Sequence, residues 1–331
     1  MPEAAREPIL DIRGLSIAYP ISIGTVRAVT DLSLSVRKGE VLGIVGESGC
    51  GKSTLGLSIL KLMKPPGQIS AGSILYRGRD GAAVDILGMS EAELLALRGR
   101  NIAMIFQNPL TSLDPLMSVE RHFIETIRAH EPEKSAPACV ELAQKILSEL
   151  GIEARRLKEY PHQLSGGMRQ RIMIGLALVL HPDILLADEP TTALDVIIEA
   201  GFTDLLIKLH RLYELTVILI SHNIGLVAQM ADRIAVMYGG RIAELASVDD
   251  IFAEPLHPYT RGLMDCVPNI LLDQKELTAM PGSPPDLVNA RPGCPFAPRC
   301  PKVMEVCREK TPVLRDKGGR SVACWLHERN E

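Results

Sequence analysis

An α/β fold built on a parallel sheet is what this sequence predicts, and three observations carry the prediction. Apolar runs at Val41–Val45, Ile184–Asp188 and Thr216–Ser221 are short and nearly continuous, as strands buried on both faces are. Segments of helical length and spacing lie between them. The first run leads into a glycine-rich loop, residues 46–54, which opens an apolar segment at 55–62 that reads as a helix.

From the amino terminus, residues 10–19 place apolar side chains at near-alternate positions, the period of a half-buried strand, and Leu32, Leu34 and Val36 repeat it before a turn at 38–40. Antiparallel strands are therefore expected ahead of the glycine loop. That loop, Gly46-Glu47-Ser48-Gly49-Cys50-Gly51-Lys52-Ser53-Thr54, fits the pattern G-x-x-x-x-G-K-[ST]. Glycines let backbone N–H groups wrap phosphate oxygens in conformations that a Cβ hinders. Lys52 brings a positive charge to the β and γ phosphates, Ser53 can ligate Mg2+, and the helix behind them points its positive end at the anion. Strand, loop and helix together predict a bound nucleoside triphosphate.

Further along, residues 90–98 read as a capped helix with Glu93 three positions after Ser90, and 102–106 as a short buried strand. Helical spacing is expected to run from Ser118 to about Gly151, with Leu142, Ile146, Leu147 and Leu150 on one stripe. Tyr160-Pro161-His162-Gln163 breaks it, and a second helix is expected from about Ser165 to His181-Pro182. A helix then separates the strands at 184–188 and 216–221, and a strand at 234–238 is closed by Gly239-Gly240. Eleven of the 23 prolines lie between Pro255 and Pro312, so the tail is expected to be mostly irregular, and a domain boundary is set near residue 250.

Composition narrows the class. Lys and Arg number 36 against 40 Asp and Glu, a net charge of −4 that offers nucleic acid no electrostatic grip. The longest strongly apolar run, 172–180, falls short of the roughly 20 residues of a spanning helix. The first eight residues lack the basic start and apolar core of a secretory signal, so a cytoplasmic location is expected. Cys50, Cys139 and Cys266 are scattered and read as small buried residues, whereas Cys294, Cys300, Cys307 and Cys324 crowd the end of the chain.

Two further segments carry chemistry. Asp188 ends an apolar strand, where a carboxylate can hold Mg2+ directly or through water, and Glu189 beside it can polarise an attacking water. In Leu164-Ser165-Gly166-Gly167-Met168-Arg169-Gln170, Ser165 can cap the coming helix while Gly166 and Gly167 expose N–H groups at its positive end. This second anion cradle is surplus to a nucleotide already held by residues 46–54, which points to a nucleotide carried by a partner.

The loop at 46–54, Gln107, residues 164–170, 184–190, Ala193-Leu194-Asp195 and His222 occur in the order and rough spacing of the ATP-binding subunits of ABC transporters, which the chain resembles over about residues 8–250. The resemblance implies a RecA-like P-loop core with an antiparallel β subdomain and a helical subdomain at about 90–180. It also implies two subunits head to tail, with ATP between the phosphate loop of one and the serine-glycine-glycine stretch of the other. Carried over residue by residue, it makes Gly46, Ser48, Gly49, Gly51, Lys52, Ser53 and Thr54 binders of phosphate and Mg2+, with Asp188 supporting the metal. It makes Glu189 the catalytic base, puts His222 on the γ-phosphate, Gln107 on the γ-phosphate and metal near a permease contact, and Tyr19 against adenine. Met168 and Asn223 depart from the commoner Gln and Asp.

Residues 108–115, Asn108-Pro109-Leu110-Thr111-Ser112-Leu113-Asp114-Pro115, and the tail from Pro255 with Leu256-His257-Pro258-Tyr259-Thr260-Arg261 resemble the dipeptide and oligopeptide importer branch. That branch includes nickel, sugar and glutathione importers, so the solute stays open. The chain thus divides into a nucleotide-binding domain at 1–250 and an importer-type extension at 251–331. The four tail cysteines, spaced C-x5-C-x6-C-x16-C, lack the C-x2-C pairs usual around structural zinc, and their donor set alone fits either Zn2+ or a [4Fe-4S] cluster. The resemblance implies the cluster. It further implies a second ATPase subunit, a paralogue in this branch, two transmembrane permeases, an extracytoplasmic substrate-binding protein and a peripheral place on the cytoplasmic face of the membrane. A soluble ATPase of this type acting on ribosomes or DNA is the alternative that the charge balance disfavours.

Overall fold

The structure, a computed structural model, describes residues 7–79, 81–107, 113–191, 196–266 and 280–328, with the backbone alone at 196–198. Asn108-Pro109-Leu110-Thr111-Ser112 and Ala193-Leu194-Asp195, which carry part of the resemblance, lie outside the described residues. Two compact units emerge, Met1–Gly88 with Leu219–Glu331, and Met89–Ile218.

The first unit begins with β1 (Leu10–Ile21) and β2 (Gly24–Val36), antiparallel from Leu10↔Val36 to Ile21↔Gly24. Leu10, Ile12, Leu15 and Ile17 are buried, as the near-alternate pattern requires. All five residues of β3 (Val41–Val45) are buried, and α1 (Lys52–Ile59) follows the glycine loop. Next come β4 (Gln68–Arg77), antiparallel to β1, and β5 (Ala83–Asp85), which pairs with β4 to give the order β2-β1-β4-β5. These two strands were not expected. Among the ten residues of β4 only Ile74 and Tyr76 are fully buried, so its periodicity is faint.

The second unit contains α2 (Glu91–Leu97), β6 (Ile102–Ile105), α3 (Val119–Arg128), α4 (Ala136–Glu149), α5 (Gly166–Leu178), β7 (Ile184–Asp188) and α6 (Val196–Tyr213). The capping box of α2 forms: Glu93 N donates to Ser90 Oγ at 3.4 Å, and Ser90 N to Glu93 Oε2 at 2.8 Å. The continuous helical stretch expected over 118–151 is corrected to two helices. Pro132 has no N–H for a continuing helix and its ring would meet the carbonyl four residues back, so α3 stops and Ser135 caps a new start. Helices α3 to α5 pack closely: a Cβ on Gly175 would come within 2.9 Å of Leu150 Cδ1 and 3.1 Å of Phe123 Cζ. Strands β6 and β7 run parallel, from Ile102↔Ile184 to Ile105↔Ala187.

The chain returns to the first unit within β8 (Thr216–Ser221), buried throughout, and continues through α7 (Ile224–Ala228), β9 (Arg233–Tyr238) and β10 (Arg241–Ser247). Strand β9 is parallel to β3, with Leu42↔Arg233 through Val45↔Val236. Gly239 and Gly240, at φ +55° and +76°, turn the chain into antiparallel β10 with the two left-handed residues a tight hairpin needs. The tail forms α8 (Val248–Ala253), α9 (Pro258–Asp265), α10 (Glu305–Glu309), β11 (Arg315–Asp316) and β12 (Ser321–Val322). Much of the rest is irregular, as its prolines dictate, yet β12 pairs with β10 at Glu244↔Val322 and Leu245↔Ser321, and β11 pairs with β12. The extension therefore continues a sheet that holds β3. Fully buried Glu244 makes this possible, accepting the N–H groups of Leu256 and His257, each at 2.8 Å, with Arg320 Nη2 at 3.7 Å.

Candidate nucleotide site

In the first unit the glycine loop lies against neighbouring backbone. Gly51 has φ +105°, and a Cβ there would fall 2.2 Å from the carbonyl oxygen of Ala28; one on Gly46 would fall 2.3 Å from that of Met237. Glycine is thus required at both positions. Lys52 is 4 % exposed, and its Nζ donates to Gly46 O at 2.7 Å and Glu47 O at 3.1 Å, closing the loop on itself. Ser48 and Gly49 are exposed on the rim, and Ser53 and Thr54 lie in the first turn of α1. Tyr19, half-buried in β1, pairs with Val26, and Gly67 passes so near that a Cβ there would be 2.6 Å from Tyr19 Cε1. His222 is exposed just after β8, and Asn223 caps α7 by accepting Leu226 N–H at 3.2 Å, a task asparagine does as well as aspartate. Cys50 and Cys139 are buried as expected, whereas Cys266 is only half-buried.

In the second unit β7 ends on Asp188, 5 % exposed, and Glu189 follows at φ +43°, a left-handed conformation costly for a residue with a Cβ. The register of β6 with β7 explains what stands beside it. Ile105 pairs with Ala187, so Gln107 and Glu189, each two residues further on, come side by side, and Gln107 Nε2 donates to Glu189 Oε2 at 3.0 Å. Ser165 caps α5, its Oγ accepting Met168 N–H at 3.3 Å. A Cβ on Gly166 would meet nothing within 4 Å, so this helix start is open to a ligand. Gln170, 2 % exposed, donates Nε2 to Pro190 O at 2.8 Å and ties α5 to the turn after Glu189. Its sequence signal was an amide on the otherwise apolar side of α5.

The extension reaches the loop itself. Tyr259, fully buried, accepts Glu47 N–H at 2.9 Å, and Arg299 forms an ion pair with the Glu47 carboxylate. Neither contact was foreseen. Cys294, Cys300, Cys307 and Cys324 line one small cavity together with His257 and Trp325, and none of the four is in a disulfide. Burial, followed by smaller contributions from the other cysteines, pushes Cys294 and Cys324 up to about 11, and burial raises Cys300 as well. Among the described residues no group of three or more His, Cys, Asp or Glu side chains stands as the ligands of a single ion would.

A strand leading into a phosphate-type loop with its lysine folded inward, and an acidic pair ending a second buried strand, define a P-loop nucleoside triphosphatase. The comparisons specify which. Residues 29–192 match the ABC transporter family and residues 243–307 the oligopeptide/dipeptide transporter C-terminal region. The dipeptide transport ATP-binding protein DppD of Bacillus subtilis is 44 % identical over 98 % of this chain and 96 % of its own length. The oligopeptide transport ATP-binding protein OppD of Salmonella typhimurium is 42 % identical over 96 % and 93 %. Among solved structures, the dimeric ABC transporter cassette MJ0796 is 28 % identical with a TM-score of 0.63, covering 72 % of this chain and 98 % of that one. This chain belongs to the ATP-binding subunits of ABC transporters, in the group that carries the oligopeptide/dipeptide C-terminal region, and it is an ABC-type ATPase. Among the described residues no helix is long and apolar enough to cross a membrane.

Proposed function

We propose that this protein is the ATP-hydrolysing subunit of a di- or oligopeptide importer. The observation that carries the reading is likeness over nearly the whole chain, extension included, to a dipeptide transport ATP-binding protein. It works on the cytoplasmic face of the membrane, with two permeases, a second ATPase that is a paralogue, and an extracytoplasmic binding protein. Residues 1–250 form its nucleotide-binding domain and 251–331 its extension.

Gly46, Ser48, Gly49, Gly51, Lys52, Ser53 and Thr54 hold the phosphates of ATP, Tyr19 faces adenine, and Ser53, Asp188 and Gln107 serve Mg2+. Glu189 takes the proton from the attacking water, Gln107 holds its carboxylate in readiness across 3.0 Å, and His222 meets the γ-phosphate. Ser165, Gly166 and Gly167 offer helix-end donors to the nucleotide of the second subunit. Binding closes the pair and hydrolysis reopens it.

Cys294, Cys300, Cys307 and Cys324 hold a [4Fe-4S] cluster. Four thiols line one small cavity, and four thiolates are the ligand set such a cluster takes.

Deleting the gene in its host and following uptake of labelled dipeptides tests the assignment. Loss of uptake, restored by the intact chain and not by Glu189→Gln, is the expected result. Unimpaired peptide uptake with loss of Ni2+ or glutathione uptake would move the assignment to another solute.

A further inference from the structure

Glu47 follows Gly46 inside the loop that receives phosphate, where an unneutralised carboxylate opposes a triphosphate. Its partner comes from the extension, 252 residues away in sequence. Arg299 donates Nη1 to Glu47 Oε2 at 2.8 Å and Nη2 to Glu47 Oε1 at 2.9 Å, a two-pronged pairing that fixes the plane of a carboxylate as well as its charge. Nε donates to Pro281 O at 2.8 Å, Nη1 to Tyr238 OH at 3.3 Å and Nη2 to Met280 O at 3.5 Å, so all five guanidinium hydrogens have acceptors. The group lies 5.9 Å from the Tyr238 ring centre and 6.0 Å from that of Phe296. With its side chain 5 % exposed, this pair is unlike the mobile surface pairs that contribute little. Tyr259 OH holds the backbone N–H of the same glutamate.

We propose that Arg299 is a positioning residue for nucleotide binding: it neutralises Glu47 and fixes it, so that the C-terminal extension sets the affinity of the loop for ATP. The inference rests on reading residues 46–54 as the ATP loop. Coupling of this kind is reciprocal, and bound ATP would in turn brace the segment around Arg299.

The test measures Mg-ATP affinity and steady-state kinetics on the full chain. Arg299→Gln is expected to raise Kd and KM roughly tenfold, within the usual range of coupling between sites, and to change kcat far less. Adding Glu47→Gln to Arg299→Gln removes the charge left without a partner and is expected to bring affinity back to within about fivefold of wild type. Arg299→Lys keeps the charge without the fork and should fall between. Wild-type affinity in Arg299→Gln overturns the proposal, as does a double variant no tighter than the single one, the pattern of a merely structural role. Should Arg299→Gln not fold, the double variant and Arg299→Lys carry the test, and a loss beyond about tenfold in the double overturns it. Lys52→Ala separates the two readings. If it binds normally, the loop assignment fails; if it weakens while Arg299→Gln does not, only the role of Arg299 fails.

Discussion

Gln107 donates its Nε2 hydrogen to Glu189 Oε2 at 3.0 Å, and the glutamate it holds sits at φ +43° immediately after β7. An amide that donates to a carboxylate fixes its direction, which is what a general base needs to meet the attacking water. Glu189→Gln is expected to bind ATP normally and to lose hydrolysis by at least about 10²-fold, the scale for a lost polar catalytic group. It should also accumulate as a nucleotide-bound dimer, visible by size-exclusion chromatography. Near-normal turnover would remove Glu189 from the role.

Gln107→Ala frees the glutamate without removing it. The expected result is a smaller fall in kcat, about tenfold, with nucleotide affinity kept to within a few-fold. A loss as deep as that of Glu189→Gln would mean that the proposed Mg2+ role of Gln107 outweighs its hold on Glu189.

Gly51→Ala asks an L residue to adopt φ +105° while its Cβ approaches the carbonyl oxygen of Ala28 to 2.2 Å. The loop must shift, so ATP binding should disappear, and the melting temperature should fall by the several degrees that about 1–3 kcal/mol of local strain implies. Intact ATP binding in this variant would show that the loop tolerates a rearrangement.

Cys294, Cys300, Cys307 and Cys324 should bring about four iron and four sulfide per chain when the protein is purified without oxygen, with broad absorption near 400 nm, as four thiolate ligands imply. Replacing any one by serine should bleach that colour and lower the stability of the extension, because a bound group supplies folding energy to a tail with little core of its own. A colourless protein carrying one zinc would overturn the cluster.

Glu244 has no exposed surface and accepts two backbone N–H groups. Glu244→Ala strands both donors and leaves Arg320 without this partner, so a loss of about 3 kcal/mol is expected in chemical denaturation. A change below about 1 kcal/mol would mean that water replaces the carboxylate at no cost.

What the sequence revealed and what it hid divide along distance. Strands β3, β7 and β8 were legible because burial on both faces leaves unbroken apolar runs, and α5 because Ser165 announces its start. The break between α3 and α4 was written in Pro132, and the apolar stripe from Leu142 to Leu150 drew attention from it. Strands of two residues, such as β11 and β12, are too short to have a period; β12 exists because β10 offers it a partner, and β11 because β12 does. Within the site, loop, acidic pair and cap followed from residue type and spacing. The clasp of Arg299 on Glu47 did not, because neither residue is unusual locally and only the folded chain brings them together.

The pairing of β12 with β10 bears on how the protein comes off the ribosome. Until residues 321 and 322 have emerged, β10 presents its largely apolar length with a row of open N–H and C=O groups, ready to accept a strand from a neighbouring chain. Once they dock, the outermost strand is only Arg315–Asp316, short, charged and exposed, which discourages further addition. Chains cut short ahead of that point should accumulate in inclusion bodies rather than as a smaller working ATPase.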